Sequence, residues 1–412
     1  MHEPPKRHPV GSAQSDPVTS SGKPIFVHSL YRSGSTYLFE AFRRSAAGYW
    51  CYQEPMHETL LKVRGNPGVL EVDPAEMAAT LRHSGVSQPY FWEFKAAQED
   101  LPQLLSKEMM YDRFFSSRDE DLRQLSDYFA CLSRRARGRP VFQDCRLFAR
   151  TTRLAAVFGG THFYLWRNPR DQWWSNKVHP HFDVTYLLIL NAQDPPEFVR
   201  ALKREIGLVE HHDASLDEEF AFFYGRLPDA HRSYLVFYCV WCYALFLNSA
   251  VDGLINIDLL STSPAYRASL TRNLEDLGIG GLDFSDCSVP QGTYTEPERA
   301  FFAEVEAEAH ELLRRNGMGE AVRLALRERG AHEPTPSAEA SVRALGNYRG
   351  QILRGIEEHS RLYRQVHELE GLVRTEREGR NVLQGQLDAI RASLPWRLSA
   401  PFRWLLRRLR RG

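Results

Sequence analysis

The sequence has little cysteine, no excess of charge of either sign and no apolar segment long enough for a membrane span. Its six cysteines, Cys51, Cys131, Cys145, Cys239, Cys242 and Cys287, are scattered over 412 residues, which is not a disulfide framework. Only Cys239 and Cys242 lie close together. On a helix that spacing puts both thiols on one face as small core residues, and no second pair or histidine cluster completes a metal or redox site. Reduced thiols of this kind suit the cytosol. The 52 Lys and Arg balance 52 Asp and Glu, which argues against a general nucleic-acid binder. The apolar run Tyr234–Leu247 is too short to span a bilayer and typical of a buried helix. No secretory signal is visible; residues 1–22, polar and rich in Pro and Ser, read as a disordered leader.

What is present divides by composition. Residues 23–330 mix short apolar runs with helical stretches. Residues 331–340 carry two prolines and form a linker. Residues 341–390 follow a heptad, and 391–412 are basic. Within 23–330 strand and helix alternate: a strand Ile25–His28 and a helix through Arg44, then a strand Pro140–Gln143 and a helix Leu147–Phe158 stopped by Gly159-Gly160. A strand Thr161–Trp166 precedes a helix that Asn168 caps and Pro169 opens, and Ile255–Leu259 is a later strand. This alternation predicts an α/β fold with a parallel sheet covered by helices. The segment 183–247 reads as irregular helix, long enough to form the wall of a site.

Two motifs carry chemistry. The first is His28-Ser-Leu-Tyr-Arg32-Ser33-Gly34-Ser35-Thr36, between a strand and a helix. Small residues let the backbone wrap an anion at the helix start, Arg32 adds a fixed charge, and Ser35 and Thr36 add hydroxyls. One glycine and no lysine exclude a Walker A loop; the plain alternative is a Ser-rich turn capping a helix. The second motif is Arg167-Asn-Pro-Arg-Asp-Gln-Trp-Trp-Ser175. An arginine at a strand end and a serine two helical turns on can grip a second phosphate from two sides. The plain alternative here is an N-capped helix start.

Together the two motifs resemble the 5′-phosphosulfate loop and 3′-phosphate site of the sulfotransferases, and Ile255–Ser261 followed by Leu270–Leu277 is similar to that family's late strand and helix. The resemblance covers roughly residues 23–330. It implies a P-loop-like α/β fold and 3′-phosphoadenosine-5′-phosphosulfate as donor, with Arg32, Ser33, Gly34, Ser35 and Thr36 holding the 5′ end and Arg167 and Ser175 the 3′-phosphate. It implies no metal, because arginine and backbone amides take the place of a divalent cation. A base for the acceptor hydroxyl is also needed. Glu54, in Glu54-Pro55, resembles the base of the carbohydrate-type enzymes, and Pro55 is expected to hold it in extended backbone. His57 is the rival base; Glu40 is expected to face solvent. Carbohydrate-type relatives often carry Lys-x-Pro-Arg where this chain has Gln143-Asp-Cys-Arg146, so Lys95 or Arg146 is the expected substitute for the lysine. Trp173 and Trp174 read as core packing rather than an adenine platform, and His179, His181, His211 and His212 as solvated or structural.

From Leu345 a heptad places Leu345, Ile352, His359, Val366, Val373, Arg380 and Leu387 at a, and Tyr348, Gly355, Leu362, Leu369, Glu376, Leu383 and Ile390 at d. Ten of these fourteen are apolar, the pattern of a coiled coil that either self-associates or folds back on the domain. The last segment has seven arginines and no acidic residue. Phe402, Leu405, Leu406 and Leu409 form its apolar stripe, as in a basic amphipathic helix lying on an anionic membrane; a partner- or RNA-attracting tail is the alternative. Leu394–Pro401 resembles the endings of bacterial surface-polysaccharide glycosyltransferases. The expectation is a cytoplasmic bacterial enzyme, peripheral on the inner face of the membrane, sulfating a carbohydrate. A P-loop kinase and a non-catalytic coiled-coil adaptor are the competing readings.

Overall fold

The computed structural model describes residues 22–73, 88–212, 214–330 and 339–393. The leader, the prolines of the linker and the basic tail lie outside the described residues, apart from the first residues flanking each.

Five strands form one sheet: β1 Ile25–Ser29, β2 Tyr49–Gln53, β3 Arg139–Asp144, β4 Thr161–Trp166 and β5 Gly253–Asn256, in the order β2-β3-β1-β4-β5, every pair parallel. β1 is central, pairing His28 with Asp144 on one side and with Tyr164 on the other. Strands covered on both faces must be apolar on both. Phe26, Tyr52, Phe142 and Tyr164 point into one core; Ile25, Val27, Cys51, Val141, Phe163, Leu165 and Ile255 point into the other. The second core is closed by helix α1, Ser35–Arg43, through Leu38, Phe39, Ala41 and Phe42. The larger first core takes in helix Asp119–Arg135 and the helices after β4: α2 Pro169–Asn176, α3 His181–Leu190, α4 Ala230–Leu247 and α5 Glu296–Arg315.

The alternation expected from sequence is present, with differences that have local causes. β2 was not anticipated: Tyr49–Gln53 is half aromatic and polar, yet it pairs with β3 along its whole length. The helix after β3 begins only at Thr151. The late strand ends at Asn256, whose side chain accepts from the amides of Asp258 and Leu259 and so starts a short helix at Ile257. His28, placed at the start of the phosphate loop by its sequence, is a buried strand residue whose Nε2 meets His162 Nδ1 at 3.0 Å.

The heptad segment lies within one helix, α6, Glu339–Ala392. Its first half packs on the domain: Ser360 is buried and bonds to Tyr224 O, and Tyr363 meets the Tyr224 ring. All six cysteines are buried and unpaired. Among the described residues no helix is long and apolar enough to cross a membrane.

Candidate active site

In an all-parallel sheet the segments that leave the strands emerge along one edge, which is where ligands bind in open α/β folds. Here that edge gathers Arg32–Thr36 after β1, Glu54 after β2, Arg146 after β3, Arg167 after β4 and Asp258 after β5. A cavity of about 850 Å³ opens there, lined among others by Arg32, Gly34, Ser35, Thr36, Glu54, His57, Arg146, Arg167 and Ser175.

The first loop is shaped by two left-handed residues, Arg32 at φ 62° and Gly34 at φ 91°. A Cβ on Gly34 would stand 2.7 Å from Ile257 Cγ1, so glycine is required for both its conformation and its close approach. α1 follows with no side-chain cap, the arrangement in which a helix start receives an anion. Ser33 is buried, and its Oγ has no hydrogen-bond partner.

The second motif distributes its residues by role. Arg167 donates to Pro290 O; its Nε has no hydrogen-bond partner and lies 3.7 Å from Asp258. The carboxyl of Asp258 is pushed up to about 6, mainly by burial. Asn168 caps α2 by accepting from Arg170 N at 3.0 Å. Arg170 turns away to Glu306 on α5. Asp171 accepts from Gly292 N and Tyr294 Oη, which pins the loop 290–294 along the cavity. Trp241 Nε1 donates to Arg167 O and fixes that backbone.

The two motifs touch. Arg32 Nε donates to Ser175 Oγ at 3.0 Å, and Gln172 Nε2 donates to Tyr31 O at 2.7 Å. Groups 143 residues apart in sequence thus form a single polar wall.

Glu54 sits opposite a buried cation. Arg146, 1 % exposed, reaches Glu54 Oε2 with Nη1 at 2.5 Å and Glu58 Oε2 with Nη2 at 2.7 Å, and its Nε meets Tyr111 Oη. Tyr90 Oη donates to the other Glu54 oxygen at 2.8 Å. Burial pushes the Glu54 carboxyl up, but Arg146, His57 and these hydrogen bonds outweigh it, and the group stays below the usual carboxylate range. Glu58 is held lower still, Arg146 again overcoming burial. His57, half-buried and lowered mainly by desolvation, accepts from Thr59 N through Nδ1. His181 lies 3.4 Å from Glu58 and stacks on Phe220; burial takes it down to about 4.

Several expectations are corrected. Glu54 is not extended: with φ 45° it lies in the left-handed region, because its N–H pairs with Gln143 O while its C=O already accepts from His57 N. Glu40 is buried and paired to Arg43 at 3.1 Å rather than facing solvent. Lys95 pairs with Glu71 and lies 3.8 Å over the Trp92 ring, apart from the cavity, so Arg146 is the cation beside Glu54. Trp173 is core, as expected, whereas Trp174 lines the cavity. His181, read as structural, also lines it.

Sequence reasoning missed Tyr90, Tyr111 and Phe182, and most notably Arg349. Arg349, on the heptad helix, lines the cavity, donates to Thr293 O at 3.0 Å and to Glu298 Oε1 at 2.9 Å, and lies over the rings of Tyr294 and Trp174. The loop it clasps, from Cys287 to Tyr294, carries no basic residue of its own. Spacing gave no signal, since Arg349 reads as an ordinary position e of the heptad.

These features define an α/β protein with an arginine-lined cavity at the carboxyl edge of a parallel sheet. No protein-family model matches the chain, and neither does any curated protein.

The buried Glu54–Arg146–Glu58 triad yields a stability prediction. Arg146→Met should cost about 3–5 kcal/mol, because two buried carboxylates lose their shared cation. Urea unfolding checks it, and adding Glu54→Gln and Glu58→Gln to that variant should recover much of the loss. A cost within experimental error of zero would mean that the triad is solvated and energetically idle.

Proposed function

We propose that the chain is a sulfotransferase of the P-loop-like class that moves a sulfuryl group from 3′-phosphoadenosine-5′-phosphosulfate to a carbohydrate hydroxyl. The observation that carries the reading is the contact between the two motifs, Arg32 to Ser175, on one wall of one cavity. Two adjoining but distinct anion grips suit a donor with a 5′-phosphosulfate and a 3′-phosphate far better than they suit a single phosphate. The residues fit such a donor. Ser33 Oγ and Arg167 Nε are buried donors with no hydrogen-bond partner, and the Gly34 backbone has no room for a side chain.

In this reading Arg32, Ser33, Gly34, Ser35 and Thr36 hold the 5′ end, and Arg167 and Ser175 the 3′-phosphate. Glu54 takes the acceptor's proton as the acceptor oxygen bonds to sulfur. The bond from sulfur to the bridging phosphate oxygen breaks, giving a sulfate ester and 3′,5′-bisphosphoadenosine. Arg32 and Arg146 stabilise charge along the line of displacement. Arg146 also keeps Glu54 ionised, at the cost of making it a weaker base. A polyhydroxyl acceptor suits the Glu54 side, where His57, His181 and Phe182 supply hydrogen-bonding and flat surfaces. The basic tail supports work at an anionic membrane on the cytoplasmic side, near lipid-linked glycans, and α6 supports self-association.

Three outcomes test the reading. Glu54→Gln should lower turnover by about 10²–10⁴-fold with unchanged affinity for 3′,5′-bisphosphoadenosine by calorimetry, whereas His57→Asn should keep most of the rate. Wild-type turnover in Glu54→Gln removes the base assignment. Calorimetry of the wild type with ATP–Mg²⁺ beside 3′,5′-bisphosphoadenosine decides against a kinase, and a clear preference for ATP overturns the proposal. Donor binding with no labelled sulfate passed to membrane extracts would instead favour a non-catalytic adaptor.

The pH profile follows from the sign of the Glu54 shift. A base must be ionised, and its pKa lies below the usual 4.5. The rate should therefore hold through neutral and mildly acidic pH and fall only as pH drops through that lowered value. An acid limb near neutrality would exclude Glu54.

Arg349→Ala should weaken 3′,5′-bisphosphoadenosine binding by about tenfold, the size of one lost cation–π and hydrogen-bonding group, with little change in maximal rate. An unchanged affinity would restrict Arg349 to holding the loop.

A further inference from the structure

Beyond Arg364, whose side chain still lies against Gly225, helix α6 runs past the domain surface. Arg364 to Ala392 are exposed throughout, yet Val366, Leu369, Val373, Leu383, Leu387 and Ile390 keep the heptad and stand 46 % to 62 % exposed. Gly371, Gly379 and Gly385 weaken an unsupported helix further. Such a segment needs a partner helix, and two charged residues within the seam, Glu376 at d and Arg380 at a, indicate which.

In a parallel pair every seam residue meets its own copy. Arg380 would face Arg380 and Glu376 would face Glu376, two like-charge layers in succession. In an antiparallel pair a faces d. A register that sets Arg380 against Glu376 of the second copy also sets Val373 against Leu383, Leu369 against Leu387 and Val366 against Ile390. The two-fold axis repeats each layer in reverse, so all the seam residues from Val366 to Ile390 are matched. Sliding by one heptad in either direction puts Arg380 against Leu383 or Leu369, and Glu376 against Leu387 or Val373. Each alternative leaves Arg380 and Glu376 of both copies only their 3.9 Å pair within one helix and sets an apolar residue against each charge.

We infer that the chain forms an antiparallel homodimer through residues 366–390 of α6, its register fixed by reciprocal Arg380–Glu376 pairs. At the solvent-exposed margin Arg377 comes near its own copy, a repulsion that water and salt screen; the seam layers decide the orientation. This extends the self-association proposed above and is independent of the chemistry in the cavity.

The test uses the full chain. Sedimentation equilibrium should give twice the monomer mass; a monomer, trimer or tetramer overturns the proposal. Orientation is read by oxidative crosslinking of Val373→Cys and Leu383→Cys chains, against a background of natural cysteines that are all buried. A mixture of the two should crosslink and each alone should not. Val373→Cys crosslinking to itself means a parallel pair and overturns the inference. Arg380→Glu should weaken dimerisation by about 100-fold, and the swap Glu376→Arg with Arg380→Glu should restore it; equal affinity in all three forms would remove the charge pair as the register device. Sulfate transfer that fails in a confirmed antiparallel dimer would count against the enzymatic reading alone.

Discussion

The arrangement of the cavity depends on Arg146, a guanidinium almost wholly withdrawn from water between two carboxylates. An isolated charge at that depth would be prohibitively costly, so Arg146 and its partners stand or fall together. Glu54 arrives from the end of β2 and Glu58 from the turn that follows. Tyr111 comes from the segment before β3, and Tyr31, whose ring lies 5.0 Å from the guanidinium, from the loop after β1. One side chain thus ties four separate segments to the carboxyl edge of the sheet. The same contact sets the ionisation of Glu54. A carboxylate buried without a cation would rise and become a better base but a protonated one at neutral pH. With Arg146 beside it the group is ready to accept a proton, though with less driving force.

The other half of the cavity is organised by α2 more than by any loop. One turn supplies an N-cap to itself through Asn168, an anchor to α5 through Arg170, and a staple for the 290–294 loop through Asp171. Its second turn supplies Gln172 and Ser175 to the β1 loop. The motif is dense because each residue faces a different neighbour as the helix turns. A substitution at Arg170 would therefore act on the cavity through position alone, whereas Asp171 both lines the cavity and holds its loop.

Much of this was legible in the sequence, and the limits have physical reasons. β1, β3 and β4 show as short apolar runs because both faces of a parallel sheet are covered, and the loop after β1 shows because close backbone wrapping demands Gly34. The Asn168-Pro169 helix start shows because capping is local chemistry. The buried state of Glu40 did not show, since it depends on Arg43 and Glu93 meeting around it from different elements. Glu54 was found by its spacing and its following proline, but its left-handed backbone was not, because that follows from Gln143 across the sheet. Arg146 was half visible: its place after β3 was clear, its burial between two carboxylates was not. Arg349 was invisible, since nothing in a heptad distinguishes a residue that turns back toward a distant domain.

Arg349 changes how the heptad helix relates to the rest of the chain. A composition boundary near residue 331 suggests an enzyme followed by a separate oligomerisation segment. The geometry instead makes α6 a wall of the cavity at one end and an unpartnered apolar seam at the other. A continuous helix transmits a rotation or tilt along its length more faithfully than a flexible linker would. If the seam pairs as inferred, the second copy fixes the direction of α6, and hence the seat of Arg349 against Trp174, Tyr294 and the 290–294 loop. Dimerisation and binding in the cavity would then favour each other by one and the same free energy, because coupling between two binding events is reciprocal. The polar residues in the seam are consistent with that role. They trade stability for a single register, and a single register gives both copies the same placement of Arg349.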